Sequence, residues 1–222
     1  MSETKRFARL PRHVGLIPDG NRRWAKARGM HPAAGYAAGM ECGLTMLDEC
    51  LDLGIEEVSV YGFTTDNTKR PREQRIAFAE ACVVFIEEAM KRDIALKVVG
   101  DTTSAMFPEV LRTYASARQG TGALKVNMLV NYGWNWDVQT AVNGLAQATE
   151  KRPFNDFLAS ADVSRIDLVV RWGGMRRLSG FLPIQCVYSD FYVVEEHWPD
   201  YTPEQFYEAL RWYAKQDVTL GG

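Results

Sequence analysis

His13-Val-Gly-Leu-Ile-Pro-Asp-Gly-Asn-Arg-Arg-Trp24 runs a short apolar stretch, residues 14–17, straight into an acidic, glycine-containing, doubly basic turn. A strand buried on both faces reads as such an apolar run, and the turn after it delivers side chains to the carboxyl end of a sheet, where open α/β folds bind ligands. Asp19 offers a hard oxygen ligand suited to Mg2+, and Gly20 lets the backbone approach an anion closely. Asn21, Arg22 and Arg23 supply donors where the next helix begins. The same residues would also make an ordinary turn with its arginines in solvent. A second basic element shifts the balance: Arg171-Trp-Gly-Gly-Met-Arg-Arg-Leu-Ser179 again follows a strand-like run, 166–170. Two anion sites imply two phosphorylated substrates.

Working outward, strand-like runs fall at 14–17, 58–63, 95–99, 125–130, 166–171 and, less regularly, 191–195, with helical stretches between them. This alternation predicts an α/β fold, a single domain over residues 1–222 with a mainly parallel central sheet of about six strands flanked by helices. Met40, Leu44, Leu47 and Leu51 recur at helical spacing, and Thr202-Pro-Glu-Gln205 forms a capping box ahead of Phe206, Leu210 and Tyr213. Pro108 opens a helix expected to stop near Gly120. Residues 72–92 carry two apolar stripes, one through Ile76, Ala79, Val83, Ile86 and Met90, the other through Phe78, Cys82 and Phe85. Such a helix is either clamped between the sheet and another element or lines an apolar channel.

A chain of 222 residues with 46% hydrophobic content can bury a substantial core. The formal charge of -2, from 26 basic and 28 acidic residues, gives no polycationic footprint for nucleic acid, so the arginines near Asp19 and Arg171 read as local sites. Residues 1–12 lack an apolar core and no later run is long enough to cross a bilayer, so a cytoplasmic protein without stable membrane insertion is expected. Cys42, Cys50, Cys82 and Cys186 form no Cys-x-x-Cys pair and are expected to be reduced thiols.

His13 to Trp24, Tyr61-Gly-Phe-Thr-Thr-Asp-Asn-Thr-Lys-Arg-Pro71, Asn131-Tyr-Gly133 and the stretch from Asp167 to Asp200, with its Leu-Ser-Gly-Phe and Trp-Pro-Asp segments, together resemble the cis-prenyltransferases, which include undecaprenyl diphosphate synthase. The resemblance spans nearly the whole chain. It implies a Mg2+-dependent homodimer acting on allylic diphosphates, with Asp19 helping to bind the metal and promote diphosphate departure. Gly20, Asn21, Arg22 and Arg23 would surround the donor diphosphate. Arg171, Arg177 and Ser179 would bind the acceptor diphosphate, and Asp190 stands where the family has an acidic metal-binding residue. Thr64, Asn67 and Arg70 occupy a loop that in the family lies near the reacting ends of both substrates, and Phe63 beside them is a candidate substrate contact whose alternative is the core.

Departures from the family cluster in the same motifs. Pro32 and Tyr36 replace an arginine and a histidine beside the donor diphosphate, and Thr68 replaces a tryptophan. Trp172 and Met175 alter the loop usually written Arg-Thr-Gly-Gly-Glu, and Trp134 replaces a glycine. The two indoles would fill space that a long chain needs, face a carbocation, or simply pack against a neighbouring loop. Of the family's usual Arg-x-Gly tail only Leu220-Gly-Gly222 remains. In these respects the chain looks like the short, irregular branch, the lavandulyl and cyclolavandulyl diphosphate synthases, which join two dimethylallyl diphosphates; Asn67 and Tyr36 are possible proton carriers if the product cyclises. The rivals are a regular short-chain synthase that uses isopentenyl diphosphate, a non-catalytic subunit, and a different phosphate-binding α/β enzyme. An apolar interface for the homodimer is expected in residues 187–198.

Overall fold

The computed structural model describes residues 7–65 and 71–217. Six strands, His13–Ile17 (β1), Glu57–Tyr61 (β2), Ile94–Val99 (β3), Leu124–Leu129 (β4), Leu168–Arg171 (β5) and Asp190–Val193 (β6), pair in the order β3-β4-β2-β1-β5-β6. Every neighbouring pair is parallel, as the alternation of elements predicts. The second strand ends two residues earlier than its apolar run, because the Gly62 N–H turns back to the Val60 carbonyl at 3.1 Å.

Alternate strand residues feed two apolar layers. Val14, Leu16, Val58, Val60, Leu168 and Val170 pack with Met46, Leu47, Phe85, Ile86, Phe206 and Leu210 of the helices Pro32–Leu53 (α2), Arg72–Ala89 (α3) and, last in the chain, Pro203–Tyr213. On the other face Ile17, Leu129 and Val169 meet Tyr132, Phe181 and Leu182. The Thr202 capping box is formed, with Gln205 Oε1 accepting the Thr202 N–H at 3.2 Å. The helix expected from Pro108 instead breaks into a 3-10 turn, Glu109–Leu111, and a short helix, Arg112–Ser116 (α4). All four cysteines are free, three of them buried. Among the described residues no helix is long and apolar enough to cross a membrane.

The chain leaves β1 toward β2 on one side of the sheet and returns to β5 on the other. That makes β1–β5 the switch point, where a crevice opens beyond the carboxyl ends of the strands. Ile17 and Arg171 are register partners there, so Asp19 and the arginine loop arrive side by side.

Candidate active site

Gly20, at φ 106°, turns the chain from β1 into the helix Asn21–Ala27 (α1). A side chain at this position would be strained and would also strike His197, whose Cδ2 lies 2.6 Å from an ideal Cβ. The neighbouring Trp198 N–H holds the Asp19 carbonyl at 2.9 Å, so the turn is braced from behind. Gly39 on α2 allows a similarly close approach: a Cβ there would stand 2.2 Å from Asn21 Oδ1, while its carbonyl accepts the Trp198 indole N–H at 2.6 Å.

Asp19 is the centre of charge. Its Oδ2 accepts from Arg171 at 2.8 Å and lies 3.4 Å from Arg23, and its Oδ1 accepts the Gly20 N–H at 2.6 Å. Burial alone would raise its pKa, but Arg171 and then Arg23 and the Gly20 N–H outweigh it, so the carboxyl sits below the usual carboxylate range. Arg171 is 4% exposed and also donates to Ser179 Oγ at 2.9 Å and to the Arg177 carbonyl. Arg23 bridges to the Gly173 carbonyl at 2.9 Å. The two basic loops are thus one assembly, joined through a single carboxylate.

They enclose a cleft of about 560 Å³. Ten of the residues expected from sequence line it: Asp19, Gly20, Asn21, Arg22, Arg23, Tyr36, Thr64, Arg171, Arg177 and Ser179. Its charged lining is Arg22, Arg23, Lys26, Arg171 and Arg177 against Asp19 alone, an excess of positive charge that suits phosphate groups. Lys26 and Arg177 have no acidic partner among the described residues. No cluster of three or more His, Cys, Asp or Glu side chains occurs among the described residues. Mg2+ does not need one, because it is commonly held by one or two carboxylates plus substrate phosphates and water. Asp19 fits that arrangement.

Below the cleft lies an apolar cavity of about 60 Å³ between α2 and α3, lined by Gly39, Met40 and Gly43 on one side and Phe78, Ala81, Cys82 and Phe85 on the other. The second apolar stripe of α3 therefore lines a cavity, while Ile76 of the first stripe is exposed.

Four expected residues lie elsewhere. Phe63 is fully buried in the core, with its ring 5.7 Å from Phe78. Trp172 is also fully buried: it points away from the cleft, packs edge-on against Trp198 at 4.6 Å and donates to Gln205 Oε1 at 3.0 Å. It is therefore not placed beside the acceptor site: the contacts with Trp198 and Gln205, both distant in sequence, hold the indole in the core. Trp134 packs against the loop at Gly180, where a Cβ would meet its Cδ1 at 2.7 Å. Asp190 pairs with Leu168, three residues before Arg171, which puts it roughly 10 Å away along the strands at the opposite edge of the sheet. Within one protomer it cannot share a small cation with Asp19. Asn67 and Arg70 fall outside the described residues, as do Thr68 and the tail residues 220–222.

Lys26, Tyr61, Met175 and Phe78 also line the cleft; Met175 was noted only as a change in the arginine loop and Phe78 only on an apolar stripe, and neither Lys26 nor Tyr61 was given a role. Lys26 was legible as the residue three after Arg23 on the same helical face, and Tyr61 as the last residue of β2. Tyr61 donates to the Ser179 carbonyl at 2.8 Å, tying that strand end to the arginine loop.

Comparison with known proteins agrees with this fold. The family described as "Putative undecaprenyl diphosphate synthase" matches residues 17–221. The chain is 29% identical to the ditrans,polycis-undecaprenyl-diphosphate synthase, (2E,6E)-farnesyl-diphosphate specific, of Aliivibrio fischeri, over 96% of this chain and 89% of that one. It is 30% identical to an isoprenyl transferase of Clostridium acetobutylicum, over 97% and 91% of the two chains. The crystal structure of lavandulyl diphosphate synthase from Lavandula x intermedia, in complex with dimethylallyl diphosphate, superposes with a TM-score of 0.85 at 25% identity, covering 96% of this chain and 99% of that one. The chain belongs to the cis-prenyltransferase family and is a prenyltransferase of isoprenoid biosynthesis.

Proposed function

We propose that this prenyltransferase couples two five-carbon allylic diphosphates, joining two molecules of dimethylallyl diphosphate head-to-middle into a ten-carbon lavandulyl- or cyclolavandulyl-type diphosphate. The observation that carries the reading is the shape of the site: two basic loops meet on one carboxylate above an apolar cavity of only about 60 Å³. The likeness to a lavandulyl diphosphate synthase supports it.

In this reading Asn21, Arg22, Arg23 and the Gly20 backbone hold the donor diphosphate, and Arg171, Arg177 and Ser179 hold that of the acceptor. The carbon–oxygen bond of the donor breaks and its electron pair leaves with diphosphate. The acceptor double bond then forms the new carbon–carbon bond, and a proton lost from the resulting tertiary cation restores a double bond. Donors fixed where the leaving charge develops lower that barrier without reorganising. Mg2+, held by Asp19 and diphosphate oxygens, would supply further neutralisation of the leaving group. Thr64 lines the cleft beside these groups, and Asn67 and Arg70, three and six residues after it in sequence, are candidates to act on the reacting carbons.

The working form is a cytoplasmic homodimer in the same proposal. Free, buried cysteines accord with a reducing compartment, and the exposed Val187 and Tyr188 offer apolar surface for a partner. The carboxylate of Asp190 would reach the metal only from that partner. A second reading, regular addition of isopentenyl diphosphate, is favoured by the relatives named as undecaprenyl diphosphate synthases. Mass spectrometry of dephosphorylated products separates the two. A branched or cyclic ten-carbon alcohol from dimethylallyl diphosphate and Mg2+ alone is expected, whereas product only after isopentenyl diphosphate is added would overturn the irregular coupling.

A further inference from the structure

Both carboxylate oxygens of Asp19 are engaged by the chain itself. Oδ1 accepts the Gly20 N–H at 2.6 Å, while Oδ2 accepts from Arg171 at 2.8 Å and has Arg23 at 3.4 Å. A Mg2+ ion bound to Oδ2 would sit about 2 Å from it, and therefore no more than about 5 Å from the Arg171 nitrogen. Like charges that close disfavour each other, so metal and guanidinium compete for one oxygen.

Arg171 has a conflict of its own. One terminal nitrogen donates to the Arg177 carbonyl and to Ser179 Oγ, the other donates to Asp19, and the Nε–H is buried with no acceptor among the described residues. A buried donor left unmade is costly, so the guanidinium gains by turning toward an anion that accepts from more of its N–H groups. A diphosphate lying against Arg171, Arg177 and Ser179 is such an anion, because phosphate oxygens match the planar fork two at a time. The exchange needs only a rotation of the guanidinium. The backbones on either side stay fixed, since Ile17 and Arg171 are register partners and the Trp198 N–H holds the Asp19 carbonyl at 2.9 Å.

We infer that Arg171 is a latch on the metal-binding carboxylate: paired with Asp19 it holds metal affinity down, and a diphosphate arriving on the arginine loop draws it off and readies Asp19 for Mg2+. The inference rests on the proposed places of the acceptor diphosphate and the metal, and adds the coupling between them. Its consequence is an order of events. Activation of the donor carbon–oxygen bond waits for a seated acceptor, so that bond is not broken in a half-filled cleft where water would take the cation. Arg23, whose side chain is 42% exposed, is a weaker partner of the same oxygen.

The test is equilibrium binding of Mn2+, a paramagnetic stand-in for Mg2+, to the full chain without any diphosphate, followed by EPR. Arg171→Gln should bind Mn2+ at least about tenfold more tightly than the wild type, which lies within the usual range of coupling between sites. Arg23→Gln should gain about threefold. Asp19→Asn, alone or combined with Arg171→Gln, should bind more weakly than the wild type. An arginine that only bound diphosphate would leave metal affinity unchanged when lost, and one that only braced its loop would lower it. Sulfate, which fills anion sites but holds divalent metals weakly, should tighten Mn2+ binding to the wild type and not to Arg171→Gln. If thermal melting shows that Arg171→Gln does not fold, Arg23→Gln and the effect of sulfate on the wild type decide. Unchanged or weaker Mn2+ binding in the folded arginine variants, a gain that survives Asp19→Asn, or sulfate without effect on the wild type would overturn the inference. A wild type that turns over only with isopentenyl diphosphate, yet shows the expected gains in Mn2+ affinity, would sink the irregular coupling and leave the latch standing.

Discussion

The two ends of the sheet are both rich in polar and charged side chains, yet they are organised in opposite ways. At the amino end, buried Asn127 donates to Glu57 at 2.7 Å and to Ser59 at 3.0 Å, while accepting from Arg118 at 2.7 Å. His13 joins the same network through Ser59 and Ser164, each at 2.9 Å. Donors there are matched with acceptors from the chain itself, which is how buried polar groups become structural. At the carboxyl end, Lys26 and Arg177 have no acidic partner among the described residues, and the cleft lining carries five cations against one carboxylate. An excess of donors that the fold does not satisfy is what a ligand completes.

The sharpest way to break this contrast is to substitute one residue at each end. Asp19→Asn should lower kcat by about 10²–10³-fold, the scale for losing a principal charge-stabilising group, with little change in thermal midpoint. Steady-state kinetics beside a melting curve will show whether activity and stability separate. Asn127→Ala should do the reverse: stability should fall by about 2 kcal/mol, because Glu57 and Arg118 lose a buried partner, while kcat stays within about twofold. Urea denaturation and kinetics on the same preparation check it. If Asn127→Ala instead abolished turnover in a folded protein, the division of labour between the ends would be wrong.

How much of this was legible in advance depended on range. The strands and the placement of Asp19 and Arg171 at neighbouring strand ends follow from local apolar runs and the loops after them, so they could be read from sequence. Trp172 and Asp190 could not be placed in that way. Both sit in the right motifs, but the direction of Trp172 depends on packing against Trp198, and the position of Asp190 depends on strand register. Register and rotamer are set by tertiary contacts between segments distant in sequence, which no local pattern encodes. The stacking of the Tyr36 ring on Phe78 escaped for the same reason: each residue was noted on its own helix, and only the packing of α2 on α3 brings them together.

A smaller effect sharpens the comparison through pH. Burial lowers the His13 pKa and outweighs the opposing pull of Glu57, whose carboxylate lies 4.0 Å away, and of the Ser164 hydrogen bond. The folded chain thus keeps His13 neutral while the unfolded chain takes up the proton. This contribution to stability is complete above the ordinary histidine range and is lost as pH falls below about 6.5 toward the folded value, at no more than about 1.4 kcal/mol per pH unit. Asp19, held below the usual carboxylate range, stays ionised throughout that window. Unfolding free energy measured from pH 7 to 5 should decline, and His13→Gln should flatten the decline.

The most direct test of the account is a crystal structure of the full chain with Mg2+ and the thiolo analogue of dimethylallyl diphosphate. Two diphosphates should be seen beyond the carboxyl ends of β1 and β5, one against Asn21–Arg23 and one against Arg171, Arg177 and Ser179, with the metal on Asp19 and one five-carbon tail beside Tyr36 and Phe78. A single diphosphate in the cleft, or a metal bound away from Asp19, would contradict it.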